Sequence, residues 1–254
     1  MKTFKIISVI LIISAFLLSC KNDQIIEERT KLLPSEIIGL TEDTKEIITY
    51  NEDNMIIGYK SVYNDYDESE IYTIEYENKK PSRFTENQYG EIIEYNITYS
   101  NDGTHVYLTD TRNVSENIAP NYNLTIDKSG NLLVLFVDEP AGFQDYQINY
   151  EYDNLNNWTF YSQNGRTFEY DTTKKGIFVN SATPNWVSTY YSWFVEGIFS
   201  PNLLVKSVGL TDNSRVNIYE WSEYNDDGYP EKLTIKLSDS DEPLEYKINY
   251  TEAK

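Results

Sequence analysis

The side chains best suited to chemistry in this chain are aromatic and acidic. Trp186, Tyr190, Tyr191, Trp193 and Phe194 crowd one short stretch. Exposed Trp and Tyr faces can stack on sugar rings, whereas the same residues at helical spacing can simply fill a core. The core reading leads, because Trp186, Tyr190, Phe194 and Ile198 recur every four residues and form one stripe of a helix. Trp193 lies off that stripe, so Trp193 and its neighbour Tyr191 are the candidate ligand-binding pair. The acidic runs 65–68, 226–227 and 239–242 supply oxygen ligands of the kind calcium takes. None has the spaced calcium-loop pattern, so they read as solvated acids. His105 is the one histidine and no nucleophile motif accompanies it; it cannot be assigned to a triad. A glycan hydrolase needs only two facing carboxylates, and with 41 Asp plus Glu such a pair is neither found nor excluded from sequence.

Other classes are excluded by composition. The 254 residues hold 21 Lys plus Arg against 41 Asp plus Glu, a formal net charge of −20. A nucleic-acid binder needs clustered positive charge. One Cys and one His exclude a disulfide framework and a Cys/His zinc site. No cofactor is expected. With no phosphate loop, no Gly-x-Ser-x-Gly and no zinc-protease motif, the reading leans away from an enzyme.

The elements that must position these residues are strands. From about residue 45 apolar and polar residues alternate, as in Ile71–Tyr76, Ile92–Tyr99, Tyr146–Tyr152 and Leu244–Tyr250, the period-two signature of a half-buried strand. Between them stand Asn101-Asp102-Gly103, Lys128-Ser129-Gly130-Asn131 and Asn225-Asp226-Asp227-Gly228, residues that tolerate the left-handed backbone of tight turns. A degenerate repeat runs through the chain: an aromatic strand end, a few residues rich in Asn, Asp or Gly, then a new strand. This predicts an all-β fold, a curved antiparallel meander. Thr183-Pro184 starts and Ser200-Pro201 ends a predicted helix over 185–199, packed on the concave face of the sheet.

The N-terminus carries an address. Lys2 and Lys5 precede an apolar run from Ile6 to Leu18, about 20 Å as a helix and too short to cross a ~30 Å hydrocarbon core. It reads as a secretory signal. Leu17-Leu18-Ser19-Cys20 resembles the lipobox of bacterial lipoproteins, which implies cleavage before Cys20 and lipidation of that residue. Several acyl chains anchor stably where one binds reversibly. Removing residues 1–19 leaves the chain more acidic still, so an anionic membrane surface repels the body and the lipid must hold it. Lys21-Asn22-Asp23 resembles in part the surface-export signal of Bacteroidetes lipoproteins; surface exposure and a periplasm-facing anchor both stay open.

The phrases Tyr219–Pro230, Lys174–Val179 and Phe199–Val205 resemble uncharacterised Bacteroidetes outer-membrane lipoproteins with Tyr-x-Tyr-(Asn/Asp)-Gly hairpins. The resemblance implies a curved antiparallel sheet and nothing catalytic. The expected organisation is a signal peptide over 1–19, a lipidated tether over 20–35 and one β-rich domain over 36–254. The expected function is a lipid-anchored, outer-membrane, non-catalytic binding or accessory module, carbohydrate being the first ligand class. The alternative is a structural subunit docking on an envelope protein complex; a carboxylate-only glycan hydrolase or a lipid carrier comes third. The expected partners are the membrane, through Cys20, and a glycan or envelope protein.

Overall fold

The computed structural model describes residues 30–63, 69–88, 90–112, 120–139, 143–163, 165–190, 196–210 and 215–254. The strands are β1 (Leu32–Gly39), β2 (Thr44–Tyr50), β3 (Ile56–Tyr63), β4 (Ser69–Glu77), β5 (Lys80–Gln88), β6 (Glu91–Tyr99), β7 (His105–Asp110) and β8 (Asn121–Ile126). They continue as β9 (Leu132–Asp138), β10 (Tyr146–Tyr152), β11 (Trp158–Tyr161), β12 (Arg166–Lys175), β13 (Asn202–Gly209), β14 (Val216–Tyr224), β15 (Pro230–Leu237) and β16 (Leu244–Glu252). The helix α1 (Asn185–Tyr190) lies between β12 and β13. Each strand pairs antiparallel with its sequence neighbours, and β1 pairs with β16 from Leu32↔Glu252 to Gly39↔Tyr246. The sheet is therefore a closed barrel, not the open curved meander that alternation predicts. Hairpin patterns record only local pairing; the β1–β16 seam joins residues over two hundred positions apart and has no local signature. Closure removes the exposed edges of the sheet. β1 also takes up the last residues of the segment assigned to the tether.

Alternation decides which residues fill the lumen. On β4 Tyr72 and Ile74 are buried while Thr73 and Glu75 are exposed; on β10 Ile148 and Tyr150 are buried between Gln147, Asn149 and Glu151. Inward rings meet across strands: Tyr59 on Tyr72 at 6.3 Å, Tyr72 on Phe84 at 6.0 Å, Phe84 on Tyr95 at 5.9 Å. Such contacts stabilise beyond their buried area. The outer wall is polar and carries cross-strand ion pairs, Lys45–Glu36 at 2.5 Å, Lys206–Glu169 at 2.7 Å and Lys232–Glu245 at 3.1 Å. A barrel that spans a bilayer faces lipid with an apolar band; this one is apolar inside and charged outside.

The two ends of the barrel differ. At one end, four connections reuse a single five-residue loop: Asn51–Met55, Asp127–Asn131, Asp153–Asn157 and Asn225–Tyr229. In each the first side chain accepts from the fifth backbone N–H at 2.9–3.0 Å, an Asx-type turn. The fourth residue has positive φ: Asn54, Gly130, Asn156 and Gly228. Tyrosines near the ends of even-numbered strands then reach back to the preceding strand, Tyr50 to the Pro34 carbonyl, Tyr76 to Ile56, Tyr99 to Pro81 and Tyr250 to Pro230. This is the structural content of the degenerate repeat.

Residues 176–190 and 196–201 enter at this tight-turn end and plug it. Ile56 N–H donates to Thr183 Oγ1, Ala182 N–H to the Asn54 carbonyl, and Asn180 Nδ2 to the Leu32 carbonyl. Asn185 bonds Asn131, which bonds Asn156. Of the predicted helix over 185–199, Asn185–Tyr190 is helical as α1 and 196–199 is a turn, a correction to its end; 191–195 lie outside the described residues. The helix α1 lies inside a closed lumen, not on an open concave face. Val187 and Thr189 lower its propensity, and Gly197 turns the chain back at φ +83°. Trp186 and Val187 are buried, as the core reading expects.

Candidate functional site

At the other end the lumen is open, and a cavity of about 260 Å³ occupies it. Its walls come from inward-facing residues of five strands, β9 giving Leu135. β5 gives Phe84 and Glu86, β8 gives Tyr122, β10 gives Tyr146, Ile148 and Tyr150, and β11 gives Trp158 and Tyr161. Thr189 and Tyr190 at the end of α1, and Glu196 on the returning chain, complete it from within the lumen. The inserted segment thus both seals the base and shapes the cavity.

The aromatic wall is pre-packed. Tyr190 meets Tyr122 edge-on at 5.4 Å and Phe84 at 6.3 Å, and Tyr122 meets Tyr95 at 5.6 Å. Trp158 packs on Tyr150 at 5.4 Å and on Phe168 at 4.9 Å. Burial pushes the Tyr122 phenol up to about 12, with the Glu86 carboxylate adding to the rise. Burial likewise holds Tyr190 well above its ordinary range, followed by its neighbours Tyr122, Tyr95 and Glu86. Both phenols stay neutral at physiological pH and can donate or accept hydrogen bonds.

Glu196 is a fixed acceptor. Tyr161 Oη donates to its Oε1 at 2.8 Å, and Arg166 Nη1 lies 3.2 Å from Oε2. Glu86 lines the cavity from β5. The lining thus offers two carboxylates, several phenols, an amide at Gln163 and large ring faces, and among the described residues no Lys, Arg or His. Flat apolar faces beside oriented acceptors suit a ring that has one apolar face and hydroxyls at its edge. They do not suit an anion.

Tyr191, Trp193 and Cys20 lie outside the described residues. The described residues on either side of 191–195, Tyr190 and Glu196, both line the cavity. His105 is exposed on the outer wall, stacked on Tyr107 and bonded to Thr104, with no part in the site. Asp227 accepts from the Thr30 N–H, and Asp239 pairs with Arg215. Among the described residues no group of acids, His or Cys could hold a metal ion. Sequence reasoning missed Glu86, Tyr122, Tyr146, Tyr161 and Glu196. The signal for Glu86 was its parity with Phe84, which Pro81 and the polar run around it concealed.

Fold and cavity define a class: a closed antiparallel barrel, filled with side chains at one end and opened as a small aromatic pocket at the other. No family model and no curated protein matches the chain. Among solved structures it is similar to a porin-like protein from Bacteroides uniformis, with TM-score 0.49 and 12% identity over 88% of this chain and 97% of that chain. It is also similar to a porin-like protein from Bacteroides vulgatus, with TM-score 0.42 and 13% identity over 87% and 99%.

Proposed function

We propose that the protein is a lipid-anchored, non-catalytic binding module of the outer membrane that holds a carbohydrate ring in the mouth of its barrel. The observation that carries this reading is the cavity of about 260 Å³ with aromatic faces, phenol hydroxyls and two carboxylates in its lining. Its volume falls near the small end of ligand sites, roughly 300–1,000 Å³, the scale of one or two rings. A lipid carrier would have to bury acyl chains against these carboxylates, which costs the desolvation of their charge.

Cys20 supplies the anchor in this reading, and residues 20–31 form a tether that reaches at most about 40 Å when extended. Support comes from the lipobox resemblance and from the charged outer wall, which needs an attachment other than insertion of the barrel. The test is a glycan array probed with the purified protein, followed by calorimetry on the hits. Retention of glycans, weakened by Trp158→Ala or Tyr146→Ala, supports the reading; an array with no hit removes it.

One observation favours docking on an envelope protein. Leu40, Ile92, Phe143 and Leu210 are 54–76% exposed and all stand at the open end. Co-purification of one stoichiometric partner, lost on Phe143→Ser with Leu210→Ser, would support that alternative.

A further inference from the structure

The cavity has a charge preference as well as a shape. Its lining contains Glu86 and Glu196 and, among the described residues, no cationic side chain. Arg166 stands behind Glu196 and meets it at 3.2 Å. On the β5 wall, Glu86 is set among Phe84, Tyr122 and Tyr190. Three phenols register its negative field, Tyr95, Tyr122 and Tyr190 all being raised in part by it after burial. At the rim, Glu139 adds to the rise of Tyr146. The chain as a whole carries −20, so its field draws cations toward the opening.

Ring faces beside a carboxylate recognise one kind of group especially well. An ammonium is attracted by the negative face of an aromatic ring and makes charge-assisted hydrogen bonds roughly twice as strong as neutral ones. A hydroxyl at the same place gains only the neutral bond. An uronic acid would bring a second negative charge to the wall.

We infer that the ligand is an amino sugar with a free, protonated amine, held by Glu86 beside the rings of Tyr122, Tyr146 and Tyr190. This rests on the carbohydrate reading of the cavity and narrows it to cationic sugars. The ammonium sits against the β5 wall while the sugar ring extends toward Tyr150, Trp158 and Tyr161. Glu196, already shared with Arg166 and Tyr161, takes a ring hydroxyl. Nothing in this arrangement requires a bond to be broken.

The test uses the full protein purified from membranes in mild detergent. Three β-1,4 disaccharides that differ only at carbon 2 are compared by calorimetry: the diamine, its fully N-acetylated form and the all-hydroxyl form. The expected result is that the diamine binds at least about tenfold tighter than either. That advantage should shrink several-fold between about 20 and about 200 mM salt, as screening predicts. Glu86→Gln should collapse the preference to under about threefold, whereas Glu86→Asp, which keeps the charge, should retain most of it. Thermal unfolding of both variants checks that the barrel is intact. Equal affinity for all three sugars overturns the amine inference while leaving the carbohydrate reading in place. A preference that survives Glu86→Gln overturns the assignment to Glu86. If neither these sugars nor any glycan on the array binds, both fall together.

Discussion

Glu46 on β2 is buried opposite Ser61 on β3 and accepts a short hydrogen bond from the Ser61 hydroxyl, with Tyr59 beside it. Burial raises its pKa, Ser61 and Tyr59 pull it partly back, and Glu70 raises it further. A carboxyl with a raised pKa holds its proton more tightly in the folded state than in the unfolded one. Its contribution therefore favours the fold below the ordinary carboxylate range and is lost as pH rises through the raised value. Glu46→Gln should unfold at higher denaturant than the parent at about pH 8, and the two should converge toward about pH 4. Equal midpoints at both pH values would show the burial to be without consequence. Phe84 is 2% exposed and stacks on Tyr72 and Tyr95. Phe84→Ala should cost about 3–5 kcal/mol in chemical unfolding and weaken ligand binding with it. A loss below about 1 kcal/mol would mean the ladder tolerates a gap. At this scale the sequence was half legible. The four-residue spacing marked Trp186 as core, because helical periodicity survives in a short insert. Glu86 and Glu196 were invisible, because a carboxylate facing a lumen looks like any other acid until the strands close around it.

The tight-turn loops make a sharper element-level case. Asn54 and Asn156 occupy the same left-handed position that Gly130 and Gly228 hold in the equivalent loops. No atom lies within 4 Å of a Cβ built on Gly130, so any penalty there comes from the backbone alone. Gly130→Ala should cost roughly 1–2 kcal/mol, and Gly130→Asn clearly less, read as the difference in thermal unfolding. Equal losses would contradict the backbone account. The turns were legible because Asn, Asp and Gly are chosen by local φ. Strands such as β4, β6, β10 and β16 were legible because alternation is local too. β5 and β13 were not, since Pro81 and the apolar Leu203–Val205 blur the period of two. The helix was overread at 196–199 for a related reason: an apolar stripe reports burial, and a closed lumen buries Ile198 in a turn as well as in a helix.

At the scale of the whole molecule, closure was the feature that sequence could not supply, and it changes what the protein is. A sheet edge invites partners; a closed barrel with a charged wall does not. No helix among the described residues is long and apolar enough to cross a membrane, which does not bear on strands, but the wall itself is laced with Lys–Glu pairs. Cys20→Ser should therefore move the protein from the membrane pellet to the soluble fraction, in monodisperse form without detergent. Retention in the pellet after carbonate washing would show that the barrel, and not the lipid, makes the attachment.

β1 enters and β16 leaves at the plugged end of the barrel, opposite the cavity. The geometry is that of a lantern: the hook and the flame are at opposite poles. Were Cys20 the anchor, as proposed, the pocket would open away from the bilayer, and a bulky polymer could present one residue to it without squeezing between protein and bilayer. A fluorophore placed between β15 and β16, at Ser240, would report an arriving ligand, while one placed beyond β16 would report the distance to the membrane.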